Sequence, residues 1–342
     1  MTVATNTTTT KAAEPVKLPT EFQWDPDSIP PFPAIALKAL KLMSGTDTSL
    51  LELCNLIRGD PAFSTAVLRI ANSPLVAFSK NVTSVLQASM LLGFLRLRRI
   101  VITVGLKAYF GSSFSPLKTS CWHHTLASAL IAERSAKWSL LDQDLAYTAG
   151  ILHDIGRVAL ITVMPESYGR VIERGADQPQ DLLQSERELC GIDHCQAGHS
   201  LVTAWNLPDV FLDIAARHHA PDPRLSGTAS LLAPSCALAD ALGFAVVLCR
   251  SPRSYVEILA GFPERARRRF PADSEELAAN IANEIKVIES ASVEAISGRQ
   301  PAAEILSEAK DPLRSHFPGG NKFFRSLQTT PTAPRPGPAH RS

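Results

Sequence analysis

The chain has 342 residues, of which 45% are hydrophobic and 20% charged, a balance typical of globular proteins with a sizeable core. Its 34 basic and 33 acidic side chains leave a formal charge of +1, which excludes attraction of nucleic acid or an anionic membrane by net charge alone. The first residues are polar and rich in threonine, and they lack the apolar stretch of a secretory signal. We therefore expect a cytoplasmic protein.

The six cysteines are scattered without a Cys-x-x-Cys pair, which argues against a zinc ribbon or a thioredoxin motif. We expect most of them to be reduced core residues. The best candidate for a membrane span, residues 231–249, is interrupted by Pro234, Ser235 and Asp240. A lone carboxylate near the middle of a span costs roughly 2.5 to 3.5 kcal/mol. The sequence therefore predicts a buried helix that carries one acid, and no membrane association.

The chain is predicted to have a helical core between two disordered tails. Apolar residues recur at helical spacing, as at Ala36, Leu40 and Met43, and no convincing strand alternation occurs. The predicted fold class is therefore all-α. The threonine-rich start and the proline-rich end both favour disorder. The predicted segments are a tail over 1–25, helical subdomains over 26–115 and 116–250, a helical extension over 251–327 and a tail over 328–342.

Several residues are predicted to begin, end or bend these helices. Asp60 precedes a proline and should cap a helix start, whereas Asn72 should lie at a helix end. Gly93 and Gly156 can terminate or bend helices, and Asp273 opens a capping pattern. We therefore interpret Asp60 and Asn72 as structural residues.

The clustering of histidines is the strongest indication of a functional site in the sequence. Seven of the nine histidines fall between positions 123 and 219. Imidazole combined with carboxylates suits Zn, Mn or Fe sites. His153 and Asp154 are adjacent within an apolar stretch, and helical neighbours diverge by about 100 degrees, so the pair can flank one metal or bridge two. The alternative is a histidine and an aspartate that bond to nearby backbone at a helix end.

Four further side chains are predicted to lie at the same site. His124 shares a helix face with apolar residues three, six and seven positions later, and His218 follows a similar apolar face. His219 is the adjacent partner of His218. Asp240 is flanked by alanine and leucine on both sides, and we expect a buried carboxylate whose burial would be costly without a cation or strong hydrogen bonds.

Distinct motifs occur in order over some 215 residues. The N-terminal motifs are Ile29-Pro-Pro-Phe-Pro33, Ile57-Arg-Gly-Asp-Pro-Ala62, Val67-Leu-Arg-Ile-Ala-Asn-Ser73, Ala88, Leu92-Gly93 and Leu97-Arg98. The C-terminal motifs are Trp122-His-His-Thr125, Gly150-Ile-Leu-His-Asp-Ile-Gly156, Asp193-His194, Gly198, Trp205-Asn-Leu-Pro208 and His218-His219. Together these motifs resemble the HDOD family, the "HD-related output domain" of bacterial signalling proteins.

The resemblance implies a helical N-terminal subdomain packed on a helical HD-like subdomain, with a regulatory role. It also implies a ligand set for a divalent ion, with Fe, Mn or Zn as the candidates. The positions that match are His124, His153, Asp154, His194, His218, His219 and Asp240. His199 falls where the family shows no fixed histidine and is left out of the set.

Two departures from the related HD-GYP phosphodiesterases are visible. Arg157 replaces their lysine, so a compact ammonium becomes a planar guanidinium. After His219, Ala220-Pro-Asp-Pro223 replaces their glycine-rich segment, and its prolines restrict φ and remove backbone donors. The sequence therefore predicts no effective hydrolysis of cyclic di-GMP.

Two functions remain open. The first is a signalling module that binds a protein partner or a ligand, such as a phosphorylated small molecule. The second is a metal-dependent phosphohydrolase in which Asp154 orients or deprotonates a water bound to the ion. Nucleic-acid binding through the arginines at 96–99 or 265–269 is disfavoured, because no aromatic platform accompanies them.

Overall fold

The structure of the chain is a computed structural model. It describes residues 24–29, 31–41, 50–73, 81–111, 115–176, 179–219 and 227–297. Within these ranges the protein contains α-helices and short helical turns and no β-strand. An isolated β-bridge in the described part of the chain joins Ala176 to Cys249. The prediction of an all-α fold is confirmed.

The N-terminal part of the fold packs three shorter helices on one long helix. These helices are α1 (Ala34–Lys41), α2 (Leu50–Arg58), α3 (Pro61–Ala71) and α4 (Val85–Tyr109). Helices α1, α2 and α3 all contact α4, whose backbone breaks at Gly93 with φ of 75°. The predicted bend at Gly93 is therefore confirmed.

The second part of the fold carries the clustered histidines. Its helices are α5 (Pro116–Ser139), α6 (Gln143–Leu152), α7 (Ile155–Val163), α8 (Pro165–Arg174), α9 (Pro179–Cys190), α10 (His194–Ala204), α11 (Asp209–Arg217) and α12 (Leu232–Ala239). Helix α5 is the central element, because α6, α7 and α12 all pack against it. Helix α10 packs against α7 and α11.

The extension is helical as far as the structure describes it. It contains α13 (Tyr255–Leu259), α14 (Glu264–Arg267) and α15 (Ser274–Ser297). Helix α15 packs on both α3 and α5, so it contacts both parts of the fold. Asp273 accepts a hydrogen bond from the Glu275 amide at 2.8 Å, which confirms the predicted start of this helix.

The two capping residues lie where the sequence predicts them. Asp60 accepts hydrogen bonds from the amides of Ala62 and Phe63 at the start of α3. Asn72 caps the end of α3, and its side chain bonds both the amide and the carbonyl of Val82. Asn72 therefore also ties the end of α3 to the chain that precedes α4.

The stretch 231–249 differs from the single buried helix predicted for it. Helix α12 ends at Ala239, and a π-helical turn over Asp240–Phe244 follows. No helix in the described part of the chain is both long and apolar enough to cross a bilayer. The predicted tails over 1–25 and 328–342 lie outside the described residues, apart from positions 24 and 25, as does the extension beyond 297.

Candidate metal centre

His153 and Asp154 form the junction between α6 and α7. His153 ends α6 with helical φ of −56°, and Asp154 starts α7 with φ of −101° and ψ of 18°. Both side chains are fully buried. Because α7 begins directly after α6 ends, the two side chains are held at a bend between two rigid helices.

Two glycines beside this junction bring other helices close to it. A Cβ at Gly150 would lie 2.4 Å from the Cα of Ala129, so α6 approaches the backbone of α5. A Cβ at Gly156 would lie 2.1 Å from the carbonyl oxygen of His194 and 2.4 Å from the amide nitrogen of Gly198. Glycine therefore permits the close packing that places α5 and α10 around the pair.

The first metal-capable group consists of His124, His153 and Cys236. The two histidine Nε2 atoms lie 3.4 Å apart, and Cys236 Sγ lies 3.5 Å from His124 Nε2. His153 Nδ1 donates to the Gly150 carbonyl at 2.7 Å, which leaves a lone pair on Nε2. His124 Nδ1 lies 3.1 Å from Asp240 Oδ1. Both rings are thus oriented by contacts on the side away from the group.

The second metal-capable group consists of Asp154, His194, His218 and His219. His194 Nε2 lies 3.2 Å from His218 Nε2 and 2.9 Å from His219 Nε2. His194 Nδ1 lies 2.6 Å from Glu186 Oε2, which also accepts the His194 backbone amide at 2.9 Å. The three imidazoles therefore converge on one point through their Nε2 atoms.

Asp154 lies between the two groups. Its Oδ2 is 3.6 Å from His124 Nε2 and 3.7 Å from His153 Nε2. Its Oδ1 is 3.5 Å from His194 Nε2 and 3.2 Å from His218 Nε2. One buried carboxylate can thus serve both groups, one oxygen to each.

Arg157 reaches into the second group. Its Nη1 lies 2.8 Å from Asp154 Oδ2, and its Nη2 lies 3.3 Å from His194 Nε2 and 3.5 Å from His219 Nε2. Burial raises the pKa of Asp154, but the positive charge of Arg157 outweighs it and holds this pKa well below its usual range. Asp154 is therefore an anion inside the protein.

The buried carboxylate of Glu186 contacts the Nδ1 side of His194, away from the second group. Glu186 Oε1 accepts the hydroxyl of Tyr168 at 2.7 Å, and its other oxygen contacts His194. Burial raises the pKa of Glu186, but the charge and hydrogen bonds of His194 outweigh it, and the net pKa is lowered. Glu186 thus fixes the ring of His194 and keeps its Nε2 aimed at the group.

The first group suits a cation. Burial lowers the pKa of His153 to about 3, so its Nε2 is free to coordinate. Burial also disfavours a charge on His124, yet the negative charges of Cys236 and Asp240 raise the pKa of His124 to about 10. The charges around His124 thus attract a cation, as do those around His194 in the second group, where the Glu186 carboxylate outweighs the effect of burial and raises the pKa of His194 to about 9.

The donor chemistry and the oxygens of Asp154 fit a divalent ion. Neither Asp154 oxygen accepts a hydrogen bond of good geometry from the described residues, although Arg157 contacts one of them as an ion pair. Two imidazoles, a thiol and a carboxylate are ligands typical of Zn or Fe sites. His124, His153, Cys236 and Asp154 would hold such an ion.

The structure brings together most of the predicted site residues. These are His124, His153, Asp154, His194, His218 and His219. His199, which the prediction left out, is exposed on α10. Whether the grouped residues bind a metal stays a prediction.

The prediction that Asp240 is a buried carboxylate is wrong. Its side chain is 44% exposed, because α12 ends just before it and the π-helical turn directs Asp240 toward solvent. The fully buried thiol of Cys236, one helical turn earlier, lies in the group instead. Asp240 contacts His124 from outside the group.

Two contributors were missed by the sequence analysis. Cys236 had a weak signal, since it lies four residues before Asp240 on a predicted buried helix. Glu186 had none, because an acid in a polar helix usually faces solvent. Only the packing of α9 against α10 shows that Glu186 contacts His194.

The fold and the site together define an all-helical protein of the HD type, with a buried histidine–aspartate pair between two histidine groups. The HDOD domain profile matches residues 29–221. The chain belongs to the HDOD family.

Known proteins are similar over most of the described region. A crystal structure of an HDOD domain protein with unknown function from Geobacter sulfurreducens is 25% identical, with a TM-score of 0.57, and the match covers 79% of this chain and 94% of that one. A candidate phosphohydrolase from Shewanella amazonensis is 23% identical, with a TM-score of 0.57 and coverage of 79% and 96%.

An uncharacterized protein from Treponema pallidum is 26% identical over 198 residues, which is 56% of this chain. The chain spans 38% of the length of that relative.

Proposed function

We propose that this protein is a regulatory HDOD module that holds a divalent metal ion in a closed site and acts by binding a signalling protein or a ligand. The observation that carries the proposal is the burial of the site. The side chains of His124, His153, Asp154, His194 and His218 are inaccessible to solvent. An ion held among them would stabilise the junction of α5, α6 and α7 rather than meet a substrate from solution.

Zn or Fe suits the first group better than Mn, because imidazole and thiolate ligands select softer ions and Mn favours oxygen ligands. A bound ion of this kind supplies Lewis acidity and lowers the pKa of a bound water. The residues of the chain contribute orientation. The Gly150 carbonyl fixes the ring of His153, and Asp240 lies beside Nδ1 of His124.

Partner binding through the N-terminal part of the fold is supported by its exposed apolar side chains. Leu51, Leu86, Met90 and Leu95 are among the large apolar residues that the structure exposes most. Leu86 and Met90 are one turn apart and share one face of α4. Exposed apolar side chains that share a face favour contact with another protein.

A metal-dependent phosphohydrolase is the second candidate. It is favoured by the position of Asp154, whose two oxygens face separate groups and could orient or deprotonate a water between them. The name of the Shewanella relative agrees with this candidate. The segment 220–223, on which the expectation about cyclic di-GMP rests, lies outside the described residues.

Metal analysis combined with a hydrolysis assay tests the proposal. Protein purified without added metal or chelator should contain about one equivalent of Zn or Fe. It should hydrolyse neither bis(p-nitrophenyl) phosphate nor cyclic di-GMP faster than an Asp154→Asn control. Turnover that requires metal and is lost in this control would establish the second candidate. Protein without metal after reconstitution would contradict the proposed metal site.

A further inference from the structure

The second metal-capable group already contains a cation. The guanidinium of Arg157 is 3% exposed and contacts three members of the group: Asp154, His194 and His219. Asp154 and Arg157 are three residues apart on one turn, so the guanidinium is anchored within the same helix that carries the carboxylate.

The histidines of this group offer acceptors, and Arg157 supplies donors. His194 Nδ1 faces the carboxylate of Glu186 at 2.6 Å, and His218 Nδ1 faces the carbonyls of Ile214 and Ala215, both at 3.2 Å. An imidazole that donates through Nδ1 presents a lone pair at Nε2. The planar guanidinium can donate to two such lone pairs from one nitrogen while another nitrogen contacts a carboxylate.

Arg157 reaches the first group at the shared carboxylate, where its Nη1 contacts Asp154 Oδ2. Among the residues that the structure describes, no arginine or lysine contacts the facing atoms of His124, His153 or Cys236. Its two Nε2 atoms lie 3.4 Å apart. The two groups therefore differ in one respect that matters for metal binding: the guanidinium contacts imidazole nitrogens of the second group, whereas it contacts the first group through the shared carboxylate.

The geometry points to Arg157 as the resident cation of the second group, so that the protein holds a metal ion at His124, His153 and Cys236 but none at His194, His218 and His219. A zinc ion binds imidazole nitrogen at about 2.0 to 2.1 Å and needs the lone pair of that nitrogen. The guanidinium lies against two of the same lone pairs, so a metal ion could bind there only by displacing it from His194 and His219. Arg157 is thus a determinant of metal stoichiometry.

Removing the guanidinium should open the second group to metal. The wild type, Arg157→Gln and Arg98→Gln are stripped with a chelator, reloaded with Zn²⁺, desalted and analysed for zinc per chain. Arg98 is the matched control, because it forms a buried ion pair with Asp144 outside the site. We expect one equivalent in the wild type and in Arg98→Gln, and two equivalents in Arg157→Gln.

Adding His153→Ala to each protein separates this inference from the proposed function. In that background we expect no zinc without the Arg157 change and one equivalent with it. Two equivalents in the wild type, or no gain on Arg157→Gln, would overturn the inference. If the wild type binds none, the proposed metal site fails, whereas a gain of one equivalent on Arg157→Gln still supports Arg157 as the blocking cation.

A measurement on the wild type covers the case in which Arg157→Gln does not fold. Anomalous diffraction at the zinc edge should show one peak bonded to Cys236 Sγ, at about 2.3 Å. A peak bonded to His194, His218 or His219 would overturn the inference.

Discussion

Asp154 faces both metal-capable groups, with one oxygen toward each. Removing the Asp154 carboxylate should abolish metal binding, because the first group would lose its carboxylate ligand and the negative charge that attracts a cation. We expect Asp154→Ala and His153→Ala each to abolish metal binding in elemental analysis. His199→Ala is the control, since His199 is exposed on α10. Equal loss of metal in the His199 variant would refute the ligand assignment.

Cys236 makes the first group spectroscopically distinct. A cobalt ion bound by a thiolate shows an intense sulfur-to-metal charge-transfer band in the near ultraviolet. We expect this band in the cobalt-loaded protein and its loss in Cys236→Ser, because serine replaces the soft ligand with a hard one. Cys249→Ser is the control, since Cys249 is exposed and outside both groups. An unchanged band in Cys236→Ser would show that the ion lies elsewhere.

Asp60 stabilises the start of α3 through two backbone amides that have no partner within the helix. Asp60→Ala should lower the free energy of unfolding by about 0.5 to 2 kcal/mol, the usual range for a lost N-cap. Unfolding in denaturant measures this change. Asp60→Asn should lower the free energy of unfolding far less, because asparagine caps a helix nearly as well as aspartate. For Asn72→Ala we expect a decrease in the same range as for Asp60→Ala.

At the scale of elements, the contact between α7 and α10 positions the histidine–aspartate pair against His194. Gly156→Ala would place a methyl group against backbone atoms of α10 at 2.1 and 2.4 Å. Backbone atoms, unlike a flexible side chain, cannot rotate away from the added methyl group, so the two helices must move apart. We expect Gly156→Ala to lower the free energy of unfolding by about 1 to 3 kcal/mol, as at other overpacked positions.

Gly169→Ala is the matched control for this contact. Gly169 lies inside α8, and a Cβ there would meet no heavy atom within 4 Å. Alanine favours helix over glycine by up to about 1 kcal/mol, so this variant should be slightly more stable than the wild type. Thermal unfolding of the two variants side by side tests both expectations. Equal changes in stability in the two variants would mean that α7 and α10 can move apart at little cost in free energy.

At the scale of the whole molecule, the extension after residue 250 is part of the packed core. Phe270 packs edge-on against Trp138 of α5 with ring centroids 5.0 Å apart, and Ile281 is fully buried in α15. His123, next to His124, contacts Glu289 of α15 at 3.0 Å. The extension thus covers the helix that supplies one ligand of the first group.

Deleting residues 251–342 should therefore lower the melting temperature and expose apolar surface that binds a hydrophobic dye. Loss of a single buried isoleucine costs about 2 to 5 kcal/mol, and this deletion removes several buried apolar side chains. Deleting only 328–342, the tail predicted to be disordered, should change neither property. A fragment ending at Arg250 with wild-type stability would show that the extension does not stabilise the rest of the fold.

The sequence by itself determined the fold class and the elements that carry the site. Helical periodicity identified an all-α chain, and the order of short motifs identified the HDOD family. The buried positions of His124 and His218 followed from apolar spacing on their own helices. Helix formation and the buried face of a helix depend on residues within a few turns of each other, so the local sequence pattern is enough to predict them.

Only the tertiary structure decided which side chains complete the two groups. Cys236 lies 112 residues from His124 along the chain, and Glu186 contacts His194 across two different helices. A π-helical turn moves Asp240 outward, and helix packing places the guanidinium of Arg157 among the histidines. Periodicity predicts which face of a helix is buried, but the distances between side chains on separate helices depend on how those helices pack.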